Sequence, residues 1–347
     1  MPASLRMTTK TPAVRRLAAA AVALGSCLAL SVPTGTADAA PADPVPTVFY
    51  GDSYTANYGI APVNNENDPS RALCFQAKEN YPALAARRLA DKGVKLDVQA
   101  DVSCGGALVG NFWEEQTTFP GTDYKVPAQQ DALKPDTKLV VGSMGGNTLG
   151  FNRILKQCSA KLREPSLLPG DPVDADSPAD KCQEFFASGD GQQWLDSQFE
   201  VVVGQLAEMF DRMAYFSPEA TRVLVGYSRL VPNDTAKCLT PAPGQTELPL
   251  ADITQDAMPF LDQVQKRLDQ VMKQAAADAG AEFVELYGHT WANTACDGAE
   301  RGIGGLLEDS QVELFGQKLP WYGHPNERGR DIQAQRVADK IEEILNQ

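Results

Sequence analysis

The sequence predicts an α/β fold in which a central parallel sheet of about five strands carries helices on both faces. Short apolar runs of the β type recur along the chain, and amphipathic helical segments lie between them. The composition agrees, because 43% of the 347 residues are hydrophobic and 22% are charged, as in ordinary globular proteins. Gly and Pro are plentiful, but they show no collagen-like period.

The first half of the chain supplies three strands and one helix. The segment 45–50 is a run of β-type residues that ends at a glycine. A helix is predicted over 81–93, with proline in its first turn and a glycine at its end. The alternating stretch 94–98 predicts a second strand, and the apolar run 138–141 predicts a third.

The second half continues the alternation of helices and strands. Helical patterns cover 194–210 and 261–279, and the tail helix of 332–345 has one apolar face. Two further short strands are predicted at 222–225 and 283–286. Pro, Asp and Asn gather in three segments that we interpret as long loop insertions, namely 57–75, 152–192 and 232–251.

The chain is strongly acidic. It has 31 basic and 45 acidic residues, a formal charge of −14, and an isoelectric point near 4.7. Nucleic-acid binding needs a clustered basic surface, so a nucleic-acid partner is not expected. The same charge argues against attraction to anionic lipid surfaces.

The segment 1–39 has the pattern of a signal peptide. A basic stretch precedes the uncharged apolar run 17–32, and Ala-Asp-Ala then predicts cleavage after Ala39. The apolar run is short for a membrane span, so we expect an exported protein with no integral span and one domain over 40–347. A lipoprotein signal around Cys27 remains an alternative, which would attach the protein to the cell envelope.

Six cysteines remain after the signal peptide is removed. An even number in an exported chain predicts disulfides, but six cysteines allow 15 pairings, and the residues alone do not choose among them. The sequence contains no CxxC motif and only two histidines, so no metal site is expected. The six are Cys74, Cys104, Cys158, Cys182, Cys238 and Cys296.

Candidate catalytic residues begin directly after the first strand. The tetrapeptide Gly51-Asp52-Ser53-Tyr54 lies where a parallel sheet lines its ligand crevice. Alone it would be interpreted as a cap of a helix or turn, with Asp52 as the acceptor. It also lacks the G-x-S-x-G pattern of an α/β-hydrolase elbow. Three further segments occur in order along the chain: Gly105-Gly106-Ala107, Gly145-Gly146-Asn147 and His324-Pro325.

These four segments resemble the sequence blocks of the SGNH (GDSL) hydrolase superfamily, and the layout is most similar to that of secreted actinobacterial esterases and lipases. The resemblance implies a three-layer α/β/α sandwich of the flavodoxin-like type, with disulfides stapling its long loops. It implies neither a cofactor nor a metal. Disulfides between neighbours in sequence are also implied, namely Cys74–Cys104, Cys158–Cys182 and Cys238–Cys296. Thr148 stands where the family usually has Asp.

The resemblance and the chemistry of acyl transfer assign roles to these residues. Ser53 is the predicted nucleophile and His324 the predicted base, with His289 as the rival. The oxyanion hole would combine the backbone N–H groups of Ser53 and Gly106 with the side-chain amide of Asn147. We therefore expect a serine esterase or lipase that hydrolyses carboxylic acyl esters and works as a monomer.

One position departs from the family pattern. Three residues before His324, where the family has Asp, this chain has Trp321, whose indole offers no acceptor. Either the backbone carbonyl of Trp321 orients the imidazole, which gives a Ser-His dyad, or a carboxylate from Glu327 or Asp331 does so. We favour the carbonyl, because it orients the ring without a buried charge.

Other activities remain open at this stage. An acyltransferase or a carbohydrate O-deacetylase would use the same serine, and a non-catalytic binding module could share the fold. The intact set of nucleophile, base and oxyanion donors argues against the binding module. The aromatic residues Phe112, Trp113, Trp194 and Trp291 could form an acyl pocket, or each could serve only in packing.

Overall fold

The computed structural model describes residues 43–64, 67–118, 122–164, 168 and 170–347. The predicted signal peptide 1–39, the alternative signal at Cys27 and the first residue of the domain, residue 40, lie outside this range. They stay predictions.

A five-stranded parallel sheet forms the centre of the fold, as the sequence predicts. Its strand order is β2-β1-β5-β6-β7, which is the flavodoxin-like order, and two short antiparallel hairpins, β3–β4 and β8–β9, lie outside it. The strands of the described residues are β1 (Val45–Gly51), β2 (Leu96–Asp101), β3 (Gln116–Thr117), β4 (Lys125–Val126), β5 (Leu139–Ser143), β6 (Thr221–Val225), β7 (Glu282–Val284), β8 (Asp309–Leu314) and β9 (Gln317–Pro320).

Helices cover both faces of the sheet. Alternate residues of each central strand enter two separate cores: Val48 and Tyr50 of β1 pack on one side, and Phe49 packs on the other. The helices of the described residues are α1 (Ser53–Ala56), α2 (Pro69–Ala72), α3 (Tyr81–Asp91), α4 (Gly146–Leu149), α5 (Phe151–Cys158), α6 (Ala160–Arg163), α7 (Cys182–Ala187), α8 (Gly189–Phe216), α9 (Met258–Asp278) and α10 (Glu327–Leu345).

The two cores contain different helices. Helices α3 and α10 pack on the face that holds Phe49, and α8 and α9 pack on the opposite face. The fold is therefore the predicted three-layer sandwich. Among the described residues, none of the helices combines the length and the apolar character needed to span a membrane.

Element boundaries differ from the prediction mainly at helix starts. The tail helix begins at Glu327 rather than at residue 332, because the side chain of Asn326 caps it by accepting the N–H of Gly329. The predicted helix 194–210 extends over the whole of α8. The predicted insertion 152–192 is not a plain loop, since it contains most of α5 and all of α6 and α7.

Three disulfides connect the loops to the core. The structure contains Cys74–Cys104, Cys158–Cys182 and Cys238–Cys296, the pairings that the family resemblance implies. The first joins the segment after α2 to the segment after β2, and the second joins α5 to α7.

Candidate active site

The candidate site lies at the carboxyl ends of β1 and β5. The chain leaves β1 for β2 on one side and reaches β5 on the other, so the strand order reverses between β1 and β5. Ligands of open α/β sheets bind at such a switch point. Gly51 pairs with Ser143 at the ends of the two strands, which brings the segments that follow them together.

A sharp turn after β1 presents Ser53. Gly51 has φ +140°, and a Cβ there would approach the carbonyl oxygen of Ser143 to 2.8 Å, so the turn requires glycine. Asp52 caps α1, because its Oδ1 accepts the N–H of Tyr54 at 2.9 Å. Ser53 is then the first residue of α1, and its exposed fraction is 8%.

His324 contacts Ser53 across the fold. Its Nε2 lies 2.7 Å from the Oγ of Ser53, and its Nδ1 lies 2.8 Å from the backbone carbonyl oxygen of Trp321. If Nδ1 carries the proton, the imidazole donates to that carbonyl and presents a lone pair to the serine hydroxyl. This arrangement can remove the serine proton.

A tight turn holds the Trp321 carbonyl beside the imidazole. Tyr322 and Gly323 have φ values of +50° and +76°, and the N–H of His324 donates to the same carbonyl at 3.0 Å. The buried indole of Trp321 is wedged against two glycines, since a Cβ on Gly304 would lie 2.2 Å from it and a Cβ on Gly59 2.5 Å. The tryptophan thus anchors the turn while its carbonyl faces the site.

Two tyrosines enclose the imidazole. The hydroxyl of Tyr54 donates to the carbonyl of Gly323 at 2.7 Å, and that of Tyr58 donates to Pro320 at 3.2 Å. Their ring centroids lie 5.2 Å and 4.8 Å from that of His324. This burial lowers the pKa of His324 to about 4, although its backbone hydrogen bonds oppose the shift. The imidazole is therefore neutral at pH 7.

The rival residues lie elsewhere. His289 is exposed on a loop and does not line the cleft around Ser53. The carboxylate of Glu327 accepts from a glutamine side chain of β8, and that of Asp331 pairs with the adjacent arginine at 2.9 Å. Within the described part of the chain, no group of three or more His, Cys, Asp or Glu could hold a metal ion.

Three N–H donors surround the space in front of Ser53. Within the described residues, the backbone N–H groups of Ser53 and Gly106 have no acceptor, and Gly106 has φ +76°. The side-chain amide of Asn147 donates to the carbonyl of Ala107 at 3.1 Å, which fixes its orientation and leaves its second N–H for another acceptor. All three can serve the oxyanion role that the sequence suggests.

Thr148, which replaces the family's Asp, has a structural role. Its Oγ1 accepts the backbone N–H of Val109 at 2.8 Å and so joins α4 to the segment that follows Gly106.

Sequence reasoning missed Tyr227, which lies just past the end of β6. Its hydroxyl donates to Oδ2 of Asp52 and accepts the backbone N–H of Gly146 at 2.9 Å. Burial raises the pKa of the Asp52 carboxyl to about 7, against the hydrogen bonds that lower it. The sequence offered one indication of its place in the site: Tyr227 closely follows a strand of the parallel sheet, as Ser53 does.

A largely apolar cleft of about 650 Å³ opens in front of Ser53. None of the four aromatic candidates for an acyl pocket is among the residues that line the cleft. Phe112 is fully buried in the core, and Trp291 is 65% exposed outside the cleft. Aliphatic and phenylalanine side chains line it instead, including Leu73, Phe75, Leu108, Phe151, Leu155, Leu230, Leu268 and Leu319.

Comparison with known proteins shows the family to which the chain belongs. The model of the GDSL-like Lipase/Acylhydrolase family matches residues 49–332. The chain is 71% identical over 346 residues to an esterase of Streptomyces scabiei, with all of both chains covered. It is 30% identical to Lipase 2 of Streptomyces coelicolor, over 95% of this chain and 98% of that one.

Solved structures share the fold. An extracellular lipase from Streptomyces rimosus superimposes with a TM-score of 0.56 at 18% identity, over 85% of this chain and 98% of that one. A phospholipase A1 from Streptomyces albidoflavus gives 0.55 at 17% identity, over 85% and 97%.

Proposed function

We propose that this chain, which belongs to the GDSL-like lipase/acylhydrolase family, acts outside the cell through an acyl-enzyme on Ser53. The family membership and the similarity to an esterase make it a carboxylic ester hydrolase. The observation that carries the proposal is the contact of 2.7 Å between Ser53 Oγ and His324 Nε2. A serine hydroxyl hardly ionises by itself, so it needs such a base.

In the first half-reaction, Ser53 Oγ attacks the ester carbonyl carbon while His324 Nε2 takes the hydroxyl proton. The resulting imidazolium keeps its Nδ1–H on the Trp321 carbonyl. When the tetrahedral intermediate collapses, the bond to the alcohol oxygen breaks and Nε2 returns the proton to that oxygen. The alcohol leaves, and the acyl group stays on Ser53.

In the second half-reaction, water takes the place of the alcohol. His324 removes a proton from the water as its oxygen attacks the acyl-enzyme. Collapse of the second intermediate breaks the bond to Ser53, whose oxygen regains the proton, and the carboxylic acid is released. An acceptor alcohol in place of water would give acyl transfer, so the two activities compete for one intermediate.

The three N–H donors account for the stabilisation of both intermediates. In each, negative charge develops on the former carbonyl oxygen, which the N–H groups of Ser53, Gly106 and Asn147 would bind. A donor of this kind is worth about 3 kcal/mol, because it acts on charge that is absent from the ground state.

The cleft supports an acyl chain as the substrate's main binding group. Binding a hydrocarbon chain against the aliphatic side chains removes its surface from water. This transfer is favourable by about 25 cal/mol per Å² of buried apolar surface. Polar side chains such as Asn111 and Glu115 also line the cleft, so a preference for long acyl groups over acetyl is what would separate this proposal from a carbohydrate O-deacetylase. Export is supported by the three disulfides and by the signal-peptide pattern.

A panel of p-nitrophenyl esters from acetyl to palmitoyl tests the proposal, with methanol added to detect acyl transfer. We expect hydrolysis to dominate and the optimum to lie beyond the acetyl ester. An alkyl phosphonate ester should label one residue, located on Ser53 by peptide mass spectrometry, and Ser53→Ala should stay unlabelled. Hydrolysis of none of the esters would instead favour a binding module, and a label elsewhere would remove Ser53 as the nucleophile.

A further inference from the structure

We propose that Tyr227 and Asp52 are positioning residues that hold the Asn147 amide and the Ser53 N–H in register within the oxyanion hole. The inference deepens the proposed function and rests on it, because it takes Asn147 as a donor to the substrate oxygen. Neither side chain has a part in the proton transfers between Ser53 and His324.

Two consecutive hydrogen bonds form the connection. Asp52 is 1% exposed and Tyr227 is 7% exposed, so both are largely buried at the base of the cleft that they help to line. The hydroxyl of Tyr227 donates to Oδ2 of Asp52 and accepts the N–H of Gly146 at 2.9 Å. The carboxyl of Asp52 therefore fixes the direction in which the hydroxyl donates and turns its lone pair toward Gly146.

Helix α4, which carries Asn147, is held from outside at its later residues by the contacts of Asn147 and Thr148, and its start is held by Tyr227. It contains four residues, and no side chain caps its start at Gly145, where φ is +139°. A single helical turn has little stability of its own, and its first N–H groups lack partners within the helix. The hydroxyl of Tyr227 supplies the missing acceptor for Gly146, directly before Asn147.

The same carboxyl also sets the nucleophile's backbone. Oδ1 of Asp52 caps α1 through the N–H of Tyr54, and the next residue after Asp52 is Ser53. The carboxyl of Asp52 and the hydroxyl of Tyr227 thereby link the segment that carries the Ser53 N–H to the helix that carries Asn147. A displacement of about 1 Å in such a site costs roughly 100-fold in rate, so the connection bears directly on turnover.

The first test compares two buried tyrosine hydroxyls. Tyr227→Phe should lower kcat by about 10- to 100-fold and leave KM within about twofold, since donors to the oxyanion act in the transition state. The matched control is Tyr81→Phe, whose fully buried hydroxyl contacts the Oγ1 of Thr55 at 3.2 Å outside the cleft. The control should keep wild-type kcat. Equal kcat values for the two variants would overturn the proposal.

A double-mutant cycle with Asn147→Ala separates positioning from a merely structural role. Asn147→Ala alone should lower kcat by about 100-fold, and adding Tyr227→Phe should then cost less than about twofold more. If the full effect of Tyr227→Phe persists in the Asn147→Ala background, Tyr227 does not act through Asn147. If Asn147→Ala keeps its kcat, the oxyanion assignment itself fails, and the inference fails with it.

A second variant covers the case in which Tyr227→Phe does not fold. Asp52→Asn keeps the side-chain volume and one oxygen for the N–H of Tyr54, but it removes the acceptor opposite Tyr227. Asp52→Asn should cause the same loss of kcat as Tyr227→Phe, and this loss should nearly vanish in the Asn147→Ala background. If the effects of Asp52→Asn and Asn147→Ala on kcat are fully additive, the connection is refuted. Failure of the proposed function would be recognised separately. In that case ester hydrolysis would survive Ser53→Ala and would not depend on Asn147.

Discussion

The disulfide Cys74–Cys104 should support catalysis as well as stability. Cys104 lies two residues before Gly106, and the N–H of Gly105 donates to the carbonyl of Cys74 at 2.8 Å. The bond therefore holds the segment that carries one predicted oxyanion donor. Replacing both cysteines by serine should release this segment, whereas most of the molecule keeps its packing.

The expected loss of stability follows from loop length. Cys74 and Cys104 are 30 residues apart, and the chain-entropy relation gives about 3.6 kcal/mol for a loop of that size. Cys238–Cys296 spans 58 residues, for which the same relation gives about 4.2 kcal/mol. Neither Cys238 nor Cys296 lines the cleft, so this pair is a control that should be destabilised slightly more.

The two double-serine variants are compared by urea unfolding and by kcat on one p-nitrophenyl ester, at a temperature where both are folded. Loss of Cys74–Cys104 should lower kcat by about tenfold or more, because Gly106 would shift from its position near Ser53. The control should keep kcat within about twofold of wild type. Equal kcat losses in both variants, or none in the first, would refute the reasoning.

Three further outcomes are expected. Ser53→Ala should abolish ester hydrolysis with a nearly unchanged melting temperature, since one cleft hydroxyl contributes little to folding; retained turnover within twofold would contradict this. His324→Ala should lose activity, whereas Glu327→Gln and Asp331→Asn should each keep most of kcat; a thousandfold loss from either carboxamide would reveal a triad. The acid limb of kcat/KM, measured on Asp52→Asn so that only the imidazole titrates, should fall as the pH drops through about 4, because burial lowers the pKa of His324. A half-point near 6.5 would indicate a solvated imidazole.

The central strands β1, β5 and β6 were predictable because most of their residues are buried. Such strands appear in a sequence as short apolar runs, and β5 and β6 are recognisable in this way. The hairpin β8–β9 was missed, since β8 buries only Ser310 and Val312 and alternates too weakly to stand out. Helix starts were placed late for a related reason: the capping residues are polar, and the apolar pattern begins a turn later.

Local motifs predicted the parts of the site that lie next to a strand end. Ser53, Gly106 and Asn147 each follow a strand in the chain, and the structure places them around one space. The position of Tyr227 after a strand was a signal, but its contacts could not be predicted, because they form where the end of β6 meets the start of α4, which are distant in sequence. The sequence left the choice between pocket and packing open for a similar reason: composition does not show whether Phe112 points into the core or into the cleft.

The partner of His324 explains both its pKa and the importance of the oxyanion donors. A carboxylate beside Nδ1 would raise the pKa of the imidazole, but burying that charge costs several kcal/mol. The carbonyl of Trp321 orients the ring without such a charge, so desolvation dominates and the pKa falls to about 4. The imidazolium that forms during attack is then stabilised only by a dipole. More of the transition-state stabilisation must then come from groups that bind the negative oxygen, which is the role proposed for the N–H donors of Ser53, Gly106 and Asn147. An enzyme of this kind depends strongly on the residues that hold those donors in place.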